Sequence, residues 1–82
     1  MRRAYVFINA EPGKLWQIAG TASKINGVKM ADAITGDFDV VVYTELEDMS
    51  GLSNLIALLQ NIKGVIRTHT SIVIPTRVND EP

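Results

Sequence analysis

Ile25-Asn26-Gly27-Val28 and Ile62-Lys63-Gly64-Val65 share one Ile-x-Gly-Val pattern, set 37 residues apart. The apolar positions ahead of each repeat at the same offset. Leu15, Ile18, Ala19, Ala22 and Ile25 lead into the first, and Leu52, Leu55, Ile56, Leu59 and Ile62 into the second. Both sets keep the spacing that makes one helix face apolar. The glycine of each tetrapeptide is expected to stop its helix as a C-cap residue, and the valine to open a strand. The joint from helix into strand is therefore used twice.

Outward from these joints the remaining elements follow. Ala4 to Ala10, rich in β-branched and aromatic residues, reads as a first strand. Glu11-Pro12-Gly13 breaks it, and Pro12 suits the first turn of the helix behind it. Val28 to Ile34 is a second strand, Thr35-Gly36-Asp37 a turn, and Phe38 to Glu47 a third strand. A second helix opens within Asp48 to Gly51, and Val65 to Ile74 is the last strand. Two β-α-β units in tandem predict an α+β, ferredoxin-like βαββαβ fold. Right-handed crossovers place strands 1 and 3 in the middle of a four-stranded antiparallel sheet of order 4-1-3-2, with two helices on one face. The domain is expected over residues 1–75, followed by a polar C-terminal tail over 76–82. Gly20, inside the first helix, reads as a close-packing position.

Eighty-two residues make one domain, and a chain this short buries only about 60–65% of its extended surface. It has no cysteine, so neither disulfides nor a thiolate metal site stabilise it. Oligomerisation is the remaining remedy, and the 46% hydrophobic content supplies apolar surface for it. Successive strand residues point to opposite faces. In strands 1 and 3 both parities are apolar: Tyr5 and Phe7 against Val6 and Ile8, then Phe38, Val40 and Val42 against Val41 and Tyr43. Helices cover only one face, so a second apolar face is left over, and such a patch marks an interface. Tyr5, Phe7, Val41 and Tyr43 are the expected dimer contact.

A net charge of −1 with scattered basic residues offers no duplex-binding face. Arg2 and Arg3 read as a solvated start. No apolar stretch approaches a membrane span and no signal peptide opens the chain, so a soluble cytoplasmic protein is expected. Catalytic chemistry is poorly supported. The one histidine, His69, sits in the last strand without a glycine-flanked serine elsewhere, and reads as a half-exposed residue of an edge strand. A metal would have to rely on Asp32, Asp37 and Asp39 gathering at one end of the hairpin. No glycine-rich phosphate loop is present, and no cofactor is expected.

One segment carries more: Thr35-Gly36-Asp37-Phe38-Asp39. Gly36 and Asp37 make a turn. Asp39 opens an apolar strand, where a carboxylate needs water or a partner. Two carboxylates flanking an aromatic ring, beside a free backbone turn, suit an ammonium group and an amino-acid backbone. Thr68 and Thr70, of one parity in the last strand, would add hydroxyl contacts.

Gly36-Asp37-Phe38-Asp39 running into Val40-Val41-Val42, together with Gly64-Val65-Ile66-Arg67-Thr68-His69-Thr70, resembles the effector-binding domain of the leucine-responsive/asparagine-responsive (Lrp/AsnC, feast/famine) transcription regulators, also called the RAM domain. The likeness spans roughly residues 3 to 74 and includes both Ile-x-Gly-Val joints. It implies dimers paired through their sheets and associated into higher oligomers. An amino acid or related small metabolite would bind where dimers meet, with Gly36, Asp37 and Asp39 as the best contacts, Thr35 and Phe38 beside them, and Thr68 and Thr70 lining the same cavity. The regulators carry an N-terminal helix-turn-helix, whereas here the domain strand begins almost at Met1. A stand-alone effector domain is therefore expected, without direct DNA binding, sensing an amino acid or modulating a full-length regulator by mixed assembly. Two other readings compete. One is a small enzyme of the dimeric α+β-barrel kind, an oxygenase or isomerase using His69 with Tyr5, Tyr43 or Trp16. The other is a purely structural partner subunit.

Overall fold

The computed structural model describes residues 1–75, so the tail expected over 76–82 lies outside the described residues. Six elements follow the chain: β1 (Arg2–Ala10), α1 (Leu15–Ala22), β2 (Val28–Ala33), β3 (Val40–Leu46), α2 (Met49–Gln60) and β4 (Val65–Ile72). The strands form one sheet of order β2-β3-β1-β4. Every neighbouring pair is antiparallel. This is the ferredoxin-like arrangement expected from the repeat, with the strand order expected.

The core lies between the sheet and the two helices. Ala4, Val6 and Ile8 of β1 and Val40 and Val42 of β3 point into it, against Ile18, Ala19 and Ala22 of α1 and Leu52, Leu55 and Leu59 of α2. All these helical residues except Leu52 and Ala19 have counterparts in the two predicted stripes that are buried alike. Thr44 is the one buried polar residue among those described, and its hydroxyl donates to the Ala4 carbonyl at 3.1 Å. That bond removes the cost of leaving a polar group unpaired in the core.

Several boundaries differ from the sequence reading, for local reasons. The helix α1 stops at Ala22 and α2 at Gln60, each before its Ile-x-Gly-Val segment. Those segments are separate turns: Val28 N–H bonds the Ile25 carbonyl at 3.0 Å and Val65 N–H the Ile62 carbonyl at 3.1 Å. Gly27 and Gly64 both have φ of 97°, so the joint is repeated in geometry as well as in sequence. Neither glycine is a helix cap; each is the third residue of a turn, a position that demands positive φ. Pro12 likewise lies outside α1. It is the second residue of a turn closed by Lys14 N–H on the Glu11 carbonyl at 3.0 Å. Arg2 and Arg3 belong to β1, paired with Leu46 and Glu45, though both side chains are exposed. Gly20 packs against nothing: it is exposed, and a Cβ there would meet no atom within 4 Å. Among the described residues no helix is long and apolar enough to cross a membrane.

Candidate functional site

Burial alternates along β1, from buried Ala4, Val6 and Ile8 to Tyr5 and Phe7 on the side without helices. The β1–β3 register sets Tyr5 opposite Tyr43 and Phe7 opposite Val41. All four residues expected at a dimer contact therefore stand together on the helix-free face. Pairing across the sheet extends them into two rows, Met30-Tyr43-Tyr5-Ser71 and Asp32-Val41-Phe7-His69. The Tyr5 and Tyr43 rings lie 5.0 Å apart at 45°, a tilted contact of the kind aromatic pairs favour. The Tyr43 hydroxyl donates to Glu45 Oε2 at 3.0 Å. Partial burial raises its pKa above the ordinary value, the Glu45 hydrogen bond adds to this, and Arg3 partly opposes it.

The turn between β2 and β3 closes one end of this face. Gly36 has φ of 105°, with open space where a Cβ would stand. The Phe38 ring folds back onto Phe7 at 5.3 Å and onto His69 at 6.0 Å. The Asn9 amide donates to the Asp37 carbonyl at 2.9 Å, and its oxygen accepts from Arg67 Nε at 3.0 Å. Asp39 Oδ2 accepts the Ala10 N–H at 2.7 Å. The Asp39 backbone donates to Ile8 and accepts from Ile34, both at 2.9 Å. Asp39 therefore fastens the turn to β1, and its role is at least partly structural. Asp37 is exposed, and among the described residues neither its carboxylate nor the N–H groups of residues 35–38 make a hydrogen bond. The turn thus presents one anionic group beside several free backbone donors, a combination able to hold an ammonium group and a carboxylate together.

Thr68 and Thr70 do not share a face with this turn within one protomer. They pair with the buried Ile8 and Val6 and so point to the helix side, where Gln60 Nε2 donates to Thr68 Oγ1 at 3.1 Å. The three aspartates do not gather: Asp32 pairs with Val41 inside the sheet, and among the described residues no group of three His, Asp or Glu could hold a metal ion. His69 is an exposed residue on the edge strand β4, with Phe38 for its aromatic neighbour. Tyr5 and Tyr43 share its face, but Trp16 stands on α1 in the other layer. Sequence reasoning missed the Asn9–Arg67 brace. Its only signal was a polar residue closing an otherwise apolar strand.

The sequence pattern of the Lrp/AsnC ligand binding domain matches residues 3–82. The chain belongs to that family. The HTH-type transcriptional regulator FL11 of Pyrococcus horikoshii is 32% identical over 73 residues, which cover 89% of this chain and 48% of that protein. The chain thus spans about half the length of the curated regulators it matches. A homocitrate synthase of Saccharolobus islandicus is 40% identical over 52 residues, 63% of this chain but 11% of the enzyme. In fold, TTHA0845 from Thermus thermophilus is similar with a TM-score of 0.88 at 22% identity, covering 93% of this chain and 96% of that one. AsnC of E. coli reaches 0.84 at 15% identity, covering 93% and 52%. At such identities these two structures speak for the fold alone. The relatives named as transcriptional regulators weigh against an enzyme.

Proposed function

We propose that this Lrp/AsnC ligand binding domain is an oligomeric module that binds an amino acid or a related small metabolite and reports it by a change of assembly. Two protomers pair their helix-free faces through Tyr5, Phe7, Val41 and Tyr43. The ligand seats on the turn formed by Thr35, Gly36, Asp37, Phe38 and Asp39, its ammonium group on Asp37 and its carboxylate on the turn's backbone donors. Thr68 and Thr70, which face the helices, take part only where a neighbouring protomer is brought to them. The observation that carries the reading is an apolar, aromatic sheet face ending at a turn with an unpaired carboxylate and free N–H groups. A small domain gains the burial it lacks by covering such a face. A ligand that binds one assembly state better than another shifts the population between them without any covalent step. A full-length Lrp/AsnC-type regulator is the proposed partner in mixed assembly, and the cytoplasm the proposed compartment.

The test is thermal unfolding against a panel of amino acids, with light scattering on the eluting species. A ligand at about 100 times its dissociation constant adds about 2.7 kcal/mol if it binds only the folded state. For a domain of this size that is a rise of several degrees. A selective rise on a species larger than a monomer is the expected result. No rise with any amino acid would favour a purely structural partner subunit.

A further inference from the structure

The helix-free face carries charge as well as apolar area, and the charges follow its rows. At one end Arg3 of β1 stands opposite Glu45 of β3. The next row is Met30-Tyr43-Tyr5-Ser71, and the one after it Asp32-Val41-Phe7-His69. This last row has its carboxylate on edge strand β2 and its imidazole on edge strand β4, both exposed. Three strand spacings, about 14 Å, keep the two apart within one protomer. The other titratable groups around His69 are Arg67, Tyr5 and Asp37. Arg67 stands two residues back along β4 and is bonded to Asn9 Oδ1, Tyr5 lies on β1, and the Asp37 carbonyl is held by the same Asn9.

Stacked sheets lie about 10 Å apart with their strands nearly aligned. Two copies related by a two-fold axis between their faces then have that axis along the strands or across them. An axis along the strands keeps every row in register and exchanges its two ends. Asp32 then meets the partner's His69, Arg3 the partner's Glu45, Tyr5 the partner's Tyr43 and Phe7 the partner's Val41. Symmetry makes each of these contacts twice. An axis across the strands reverses the order of rows and lays every strand over its own copy. Glu45 then falls toward the partner's Asp39, a carboxylate against a carboxylate, while Asp32 and His69 meet only the partner's Met30 and the partner's Ser71. Charge complementarity selects the first arrangement.

We infer that a second copy of this chain covers the face about an axis parallel to the strands, with His69 of each protomer paired to the partner's Asp32. This rests on the reading of the face as a dimer contact, and adds which residues meet and a response to pH. An imidazole ordinarily takes up its proton between about pH 5 and 8. A carboxylate opposite favours the protonated form, so the dimer takes up that proton more readily than the monomer. The added stability of the dimer is therefore present in mildly acid solution and is lost as pH rises and the imidazole becomes neutral. Both pairs lie at the rim of the contact, where two ion pairs of ordinary strength change a dissociation constant by about twofold to thirtyfold.

The chain has no cysteine, so introduced thiols report contacts without background. Asp32→Cys and His69→Cys are prepared separately, mixed, left to exchange subunits and treated with a short bis-maleimide. The mixture should give covalent dimer, and neither variant alone should. Sedimentation equilibrium on the full chain should give a dissociation constant about twofold to thirtyfold lower at about pH 6 than at about pH 7.5. His69→Gln, Asp32→Asn and the two together should lose that dependence alike. Self-linking of either cysteine variant as readily as the mixture would overturn the axis and the pair, and leave the pairing of faces standing. An equal dissociation constant at both pH values, or a dependence that survives in His69→Gln, would overturn the pair in the same way. A chain that stays monomeric at every concentration would overturn the pairing of faces as well.

Discussion

Asp39 Oδ2 accepts the Ala10 N–H at 2.7 Å, at the position where β1 and β4 fall out of register. Removing the carboxylate leaves that half-buried donor without its partner, a loss of about 1–3 kcal/mol. Asp39→Ala is therefore expected to unfold several degrees lower than the parent in a thermal scan, while Asp39→Asn, which keeps an acceptor oxygen, recovers most of the loss. Asp37→Ala, on an exposed side chain, should leave the midpoint within about 2 °C and abolish only the ligand response, which makes it the cleaner probe of the site. Tyr43 adds a pH signature. Its folded pKa is raised above 10.0, so the stabilisation is fully present below that value and is lost as pH rises through the folded pKa. The folded protein should weaken on the alkaline side of about pH 10, and Tyr43→Phe should flatten that arm in denaturation curves taken at stepped pH.

The two helices are short, and their boundaries are decided at single residues. The α2 N-terminus is held by Asp48, whose Oδ1 accepts the Gly51 N–H at 2.9 Å, while Lys14, the residue before α1, makes no side-chain cap. Within α1, Gly20 weakens the helix and packs against nothing. Gly20→Ala should stabilise the fold by about 0.5–1 kcal/mol, read as a higher denaturant midpoint at unchanged slope. At Gly27 the opposite holds. Its φ is 97°, and a Cβ would stand 2.5 Å from Leu46 Cδ2 and 3.0 Å from Leu55 Cδ1. Gly27→Ala should cost about 1–2 kcal/mol from backbone strain alone, with the leucine overlap added to it. The Ile-x-Gly-Val repeat announced both joints in the sequence. It did not announce that the helices end first, because a glycine at a turn and a glycine at a helix end leave the same trace in one dimension.

At the scale of the molecule, the apolar helix-free face is the feature that asks for a partner. A charge at its centre, Val41→Glu, is expected to split the assembly to monomer by light scattering and to lower the unfolding midpoint. The core should survive, since Val41 points away from it while Val40 and Val42 point in. A parent protein already monomeric at high concentration would remove the basis for that expectation. The Gly36–Asp39 turn lies at one end of the same face, through Phe38 against Phe7 and His69. In the proposed reading, a ligand on the turn and a partner on the sheet face would influence one another through these ring contacts within each protomer.

Periodicity alone determined the six elements, the strand order and the presence of two apolar sheet faces, since each follows from spacing along the chain and the handedness of crossovers. Tyr5, Phe7, Val41 and Tyr43 were legible as one set because alternate residues of neighbouring strands must share a face. Which set the helices would cover was a tertiary outcome: α1 and α2 could lie on one side only, and they buried Val6, Ile8, Val40 and Val42. The same choice turned Thr68 and Thr70 toward the helices and away from the turn. Asp39 was recognisable as a carboxylate in need of a partner, but its partner, a backbone N–H 29 residues earlier, becomes available only when β1 lies beside the turn. Local pattern is written in the order of residues, whereas partners and cavities come from contacts between segments that the order alone does not bring together.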